Sequence, residues 1–280
     1  MPSSEHPPEN LLLSALSRRD RKAFLADCES IDLPAASFLC QKGDRIRHVY
    51  FPTGSFISLV APGNGAGNLE VAMVGNEGMV GTSLLLDVDI EPLQALVQGA
   101  GPCLRMSAGN FKRHLGQSRP LLKRLQRYLY VATCQLSQAA SCNHYHVVED
   151  RLARLLLMTE DRAHSPTFHI TQELLARLLG VRRVGVTKAA GSLQRRQLIT
   201  YRRGTVSVVD RPGLEAASCR CYAADQTTYR NLLDQRDDRS REQAERVRGG
   251  KRPAWARAPK QKEYAGRRGP VHPRPAAHEP

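Results

Sequence analysis

The densest run of chemically useful side chains lies between Ala176 and Val209. It holds Arg182, Arg183, Gly185, Thr187 and Lys188 close together, then Arg202 and Arg203 in "TYRRGT". From Arg182 to Val209 there are seven Lys or Arg and no Asp or Glu. Cations at this density neutralise phosphate oxygens, and an Arg on a rigid helix can donate to both the O6 and N7 acceptors of a guanine.

The surrounding residues indicate how such groups would be held. "ITQELLARLLG" begins with Thr171, a good N-cap, and places Glu173 where an acid complements the helix dipole. Leu174, Leu175, Leu178 and Leu179 line one face, and Gly180 supplies the left-handed residue that ends a helix. Ala176 permits close helix contact, Gly180 turns the chain and Val186 plugs the shared core, so the segment reads as a helix-turn-helix. Its second helix leaves Arg182, Arg183, Gly185, Thr187 and Lys188 pointing outward at the N-terminal end, the end that enters a major groove. "QLITYRRGTVSVVD" follows as strand, basic turn and strand with Gly204 at the turn, which is a wing. The competing reading is an ordinary helical hairpin with a solvated charged face; composition, turn chemistry and wing agree against it.

Thiols and imidazoles form a second set. "SCNHYH" spaces Cys142 and His146 at i and i+4, and Cys219 and Cys221 make a Cys-x-Cys in the last helix. They could form a metal or thiol-redox site if the Cys-x-Cys folds back against the first pair. Buried cysteines and a hydrogen-bonded or exposed His are the more ordinary reading, so neither a metal nor a cofactor is expected.

The 280 residues carry 41 Lys and Arg against 27 Asp and Glu, a formal charge of +14 that favours nucleic acid or an acidic membrane surface as partner. Seven scattered cysteines give no secreted disulfide framework. "MPSSEHPPEN" lacks the features of a signal peptide, and no stretch has the length and apolarity of a membrane span. A cytoplasmic protein with no membrane partner is expected.

From Asn10 to Leu33 the pattern suggests one or two short amphipathic helices, with Leu12, Leu13, Leu16, Phe24 and Leu25 inward. Between Phe38 and Met106 short alternating runs, "HVYF", "SFISLV", "LEVAMV", "ALVQG" and "CLRM", predict an antiparallel sandwich or small barrel. Ser107 caps a following helix, and a long one starts after Pro120. There Leu122, Leu125, Leu129, Ala132, Leu136 and Ala139 recur at spacings of 3, 4, 3, 4 and 3, a seam for a second copy of the chain. Packing of this face on the chain's own β-domain is the alternative.

The division expected is a sensor domain over 1–118, a dimerisation helix and hinge over 119–145, and a winged helix-turn-helix over 146–233. The last opens on "HVVEDRLARLLLM", with Val148, Leu152, Leu155 and Leu156 on one face. Residues 234–280, with thirteen basic and seven acidic residues and few large aliphatics, read as a disordered basic tail.

These stretches together, "HVYFPTGSFISLV", "VGNEGMVG", the long helix, "DRLARLLL" and the winged segment, resemble the Crp/Fnr-type bacterial transcription regulators over about residues 10–225. The resemblance implies an α+β fold: an antiparallel β-roll of the cyclic-nucleotide-binding type, a dimerisation helix and a C-terminal winged helix-turn-helix. It implies a homodimer on a pseudo-palindromic double-stranded DNA site, RNA polymerase as a further partner, and no enzymatic activity. Arg183 matches the family's base-contacting Arg and Lys188 its second basic position, but Val184 stands where the family has a Glu.

The family's effector pocket would fall on Gly78, Gly81, Thr82, Ser83 and Leu93. Its Gly-Glu pair is Gly81-Thr82 here, and Leu93 occupies the place of the phosphate-binding Arg, amid Asp87, Asp89 and Glu91 with no cation. Control by cyclic AMP or GMP is therefore not expected, and the effector, if there is one, is unknown. Cys28 and Cys40 are too few and too far apart for the family's iron–sulfur ligation. Two other classes compete: a mostly nonspecific DNA-binding architectural protein, and a cupin-like metal oxygenase. The latter is disfavoured because the only His-x-His, His144 to His146, lies outside the β-domain.

Overall fold

A computed structural model describes residues 9–63 and 67–233. Helices α1 (Leu11–Ser14) and α2 (Arg18–Leu25) come first, each with a side-chain cap. The side chains of Asn10 and Ser17 accept from the N–H groups of Leu12 and Asp20, donors that a helix start leaves without partners. Leu12, Leu13, Leu16 and Phe24 are buried and Leu25 half-buried. The helical expectation fails at its end, because Glu29–Leu33 is strand β1. Pairing with a later strand decides its conformation, as tertiary context does for weak local preferences.

Six more strands follow: β2 (Phe38–Cys40), β3 (His48–Pro52), β4 (Phe56–Gly63), β5 (Gly67–Val74), β6 (Gln94–Gly99) and β7 (Gly101–Ser107). They form two antiparallel sheets, ordered β1-β7-β3 and β2-β6-β4-β5. Leu33 and Cys103 from the first pack with Ile57, Val74, Ala95 and Val97 from the second, so the strand alternation buries one face of each sheet in a common core.

Ser107 caps α3 (Ala108–Gln117), and Ser118 caps α4 (Arg119–Tyr145), which carries Pro120 in its first turn where the missing N–H costs nothing. The inward face of α4 is Leu121, Leu125, Tyr128, Val131, Gln135, Ala139 and Cys142. Two of the six expected seam positions turn inward. Leu125 and Ala139 belong to the chain's own interior, while Leu122, Leu129 and Ala132 are half-buried and Leu136 is exposed. The heptad rhythm is real, but α4 spends part of it on its own fold, packing against β5 and the last helix.

Beyond α4 come α5 (Val148–Ala163), β8 (Thr167–His169), α6 (Gln172–Leu179), α7 (Arg183–Arg195), β9 (Ile199–Arg202), β10 (Thr205–Val208), α8 (Arg211–Ala217) and α9 (Cys221–Leu233). The wing gains an unexpected third strand, in the order β8-β10-β9. Leu152, Leu156, Leu175, Val186, Leu193 and Val206 form the core here, and Phe56, Val60 and Met73 from β4 and β5 join it. No helix among the described residues is long and apolar enough to cross a membrane. The expectation of a disordered tail over 234–280 lies outside the described residues.

Candidate nucleic-acid interface

Thr171 caps α6 as expected, its hydroxyl accepting from the Leu174 N–H, and Gly180 ends the helix at φ 62° and ψ 37°, in the left-handed region. Ala176 and Val186 are buried where α6 crosses α7. Thr187 Oγ1 donates to Gln172 Oε1 at 2.8 Å, a polar tie between the two helices. The turn of the wing is Arg203-Gly204, both at positive φ, as a two-residue hairpin turn requires.

This frame leaves Arg182, Arg183, Val184, Thr187 and Lys188 exposed on the first turns of α7, with Thr171 on α6 and Arg202 and Arg203 on the wing also exposed. A side chain at Gly185 would meet nothing within 4 Å, so the glycine keeps that surface low enough for close approach. Among the described residues none of Arg182, Arg183, Lys188, Arg202 and Arg203 is in a salt bridge, whereas Arg196 is held by Glu149 at 3.0 Å. The exposed cations are therefore available to phosphates at no cost in broken ion pairs.

Two of the positions expected in an effector pocket, Gly78 and Gly81, lie against neighbouring side chains. A Cβ on Gly78 would lie 2.3 Å from the Tyr128 hydroxyl of α4, and one on Gly81 would lie 2.9 Å from Val49 Cγ1. Gly81 precedes a 3-10 turn, Thr82–Leu86, in which Thr82 and Ser83 are half-buried, and Leu93 is half-buried just before β6. The carboxylates near Leu93 are not without cations: Asp87 pairs with Lys112 at 2.7 Å and Asp89 with Arg45 at 2.9 Å. Only Glu91 is buried, in a cleft of about 350 Å³ shared with Cys40, Asp44, Arg47, His48 and Tyr50.

Burial, with the Asp44 charge added, pushes the Glu91 carboxyl up to about 7. The folded chain then binds a proton that the unfolded chain has released between the ordinary Glu range and about pH 7. Its stabilising share is full at low pH and is lost as pH rises through about 7. Unfolding curves at pH 5 and pH 8 should show Glu91→Gln gaining stability relative to the parent at the higher pH; equal differences at both would remove the role of this carboxyl.

Sequence reasoning missed the buried ion pairs, among them Arg154 with Asp225 at 2.6 Å and Glu77 with Arg162. Glu77, in the turn after β5, meets Arg162 of α5 at 2.6 Å, and both side chains are largely buried. Gly75 makes room, since a Cβ there would lie 2.7 Å from Arg162 Cγ. The available signal was Arg162 on the same helical stripe as Leu155 and Met158, a charge on an apolar face that needs a partner.

The architecture is a winged helix-turn-helix joined through a long helix to a double antiparallel sheet. In particular, residues 150–217 match the Crp-like helix-turn-helix domain, and the chain has the fold of the Crp/Fnr-type regulators. It is similar to the c-di-GMP responsive global regulator CLP of Xanthomonas campestris, at 19% identity and TM-score 0.58, over 69% of this chain and 99% of that one. It is similar to a putative Crp/Fnr-family transcriptional regulator of Eubacterium rectale, at 14% identity and TM-score 0.59, over 75% and 99%. FixK2 of Bradyrhizobium japonicum aligns at 11% identity and TM-score 0.59, over 69% and 98%. No match was found among curated proteins.

Proposed function

We propose that this chain is a homodimeric, sequence-specific regulator of transcription that binds a pseudo-palindromic DNA site and does not respond to cyclic AMP. The observation that carries this reading is the exposed, unpaired cationic surface formed by Arg182, Arg183, Lys188, Arg202 and Arg203 on α7 and the wing. Val184 is 60% exposed on the same turn, so its reading partner is the methyl of a thymine rather than the amino group of a cytosine. RNA polymerase is the downstream partner this reading requires. Residues 1–118, 119–145 and 146–233 are its sensor, connecting helix and DNA-reading segments.

The independence from cyclic AMP is supported by Thr82 and Leu93, and by Tyr128 and Val49 filling the space at Gly78 and Gly81. Selecting DNA from a random pool and measuring affinity for the winner and for its scrambled copy tests the reading. A specific regulator prefers the winner by about 1,000-fold or more. A nonspecific architectural binder would show little preference and only a steep salt slope.

Dimerisation falls to the outward stripe of α4, with Leu122, Leu129, Ala132 and Leu136; Leu136 is 40% exposed in the single chain. Leu136→Asp should weaken self-association by about tenfold or more, since a charge on an apolar helix seam is desolvated without a partner. Sedimentation velocity checks it, and an unchanged dimer would move the interface off α4.

A further inference from the structure

We propose that Cys142, His146, Cys219 and Cys221 bind one zinc ion, which staples the end of α4 to the start of α9. The Cys-x-Cys does fold back: one ligand atom from each of the four residues lies within 4.8 Å of every other. Cys142 and His146 occupy the last turn and the C-cap of α4, Cys219 precedes α9, and Cys221 is its first residue.

The spacing suits a single ion. With Zn–S near 2.3 Å and Zn–N near 2.0–2.1 Å, a tetrahedron sets S···S at about 3.8 Å and S···N at about 3.5 Å. Cys142 Sγ and Cys219 Sγ are 3.5 Å apart, and Cys221 Sγ is 3.5 Å from His146 Nδ1. An iron–sulfur cluster, with its own bridging sulfides, needs its cysteine sulfurs farther apart. Three soft sulfurs and an imidazole are a zinc donor set, not one for magnesium or calcium.

The surroundings agree. The three thiols are buried against one another, apart from the larger apolar cores. Gln138 Nε2 donates to Cys221 Sγ at 2.9 Å, the kind of outer contact that orients a thiolate ligand. On binding, three thiol protons pass to solvent and nothing is oxidised or reduced.

The test uses the full chain, purified without added metal, stripped with a chelator and titrated with zinc and with cobalt. Expected are one zinc per chain, the visible bands of tetrahedral cobalt with a near-ultraviolet thiolate band, and a higher thermal midpoint with zinc. Cys219→Ser with Cys221→Ser should weaken zinc binding by about 100-fold or more, and Cys40→Ser with Cys134→Ser should leave it unchanged. Should the first variant not fold, Gln138→Ala should still weaken zinc by about tenfold. Wild-type binding that is weak and cobalt spectra without the thiolate band would overturn the proposal. So would a Cys142–Cys219 disulfide in the chain that blocks zinc until reduced.

Discussion

Glu77→Ala is expected to lower the free energy of unfolding by about 3–5 kcal/mol, because it strips the counter-charge from a buried guanidinium. Both side chains are largely buried: Arg162 is 8% exposed and Glu77 15%. Glu77 follows β5 and Arg162 sits near the end of α5, so the pair also joins the sheet half of the chain to its helical half. Denaturant unfolding of Glu77→Ala, Arg162→Met and the double variant separates the pair from its surroundings. The double variant should recover much of the loss, since removing both charges leaves none stranded. A single-variant loss below about 1 kcal/mol would reduce the contact to the worth of a surface ion pair.

Arg183→Ala should weaken binding to the selected operator by about 1–3 kcal/mol, close to tenfold or a hundredfold, and weaken binding to random DNA much less. Arg183 opens α7 and is exposed, at the helix end that helix-turn-helix proteins place in the major groove. Arg203→Ala on the wing provides the contrast, acting through phosphate and so lowering both affinities alike. Equal losses on operator and random DNA for Arg183→Ala would remove its base-reading role.

Most of the scaffold was legible because its signals are local. Thr171, Ser107 and Pro120 mark helix starts, Gly180 a helix end and Gly204 a turn, and each acts on its immediate neighbours. The strand runs from His48 to Met106 were readable from alternation for the same reason. What local pattern could not give is which partner an element meets. Glu29–Leu33 is a strand only because β7 lies beside it. Leu125 and Ala139 keep the heptad spacing of their neighbours yet face inward, because α9 and β5 cover that side of α4.

The candidate sites divide along the same line. The exposed Arg and Lys residues of α7 and the wing are close in sequence and needed no distant residue to be recognised. Cys142 and Cys219 are 77 positions apart, and their meeting depends on how α4 ends and α9 begins. The glycines of "VGNEGMVG" look like a phosphate cradle in one dimension; in three, Tyr128 and Arg162 occupy the space beside Gly78 and Gly75.

Phe56, Val60 and Met73 lie in the same apolar core as Leu152, Leu175 and Val186. The strands of the first half are thus solvent for the second. A fragment cut out at His146 to read DNA alone would carry an oily scar where β4 and β5 had been, and its solubility would suffer before its DNA contacts did.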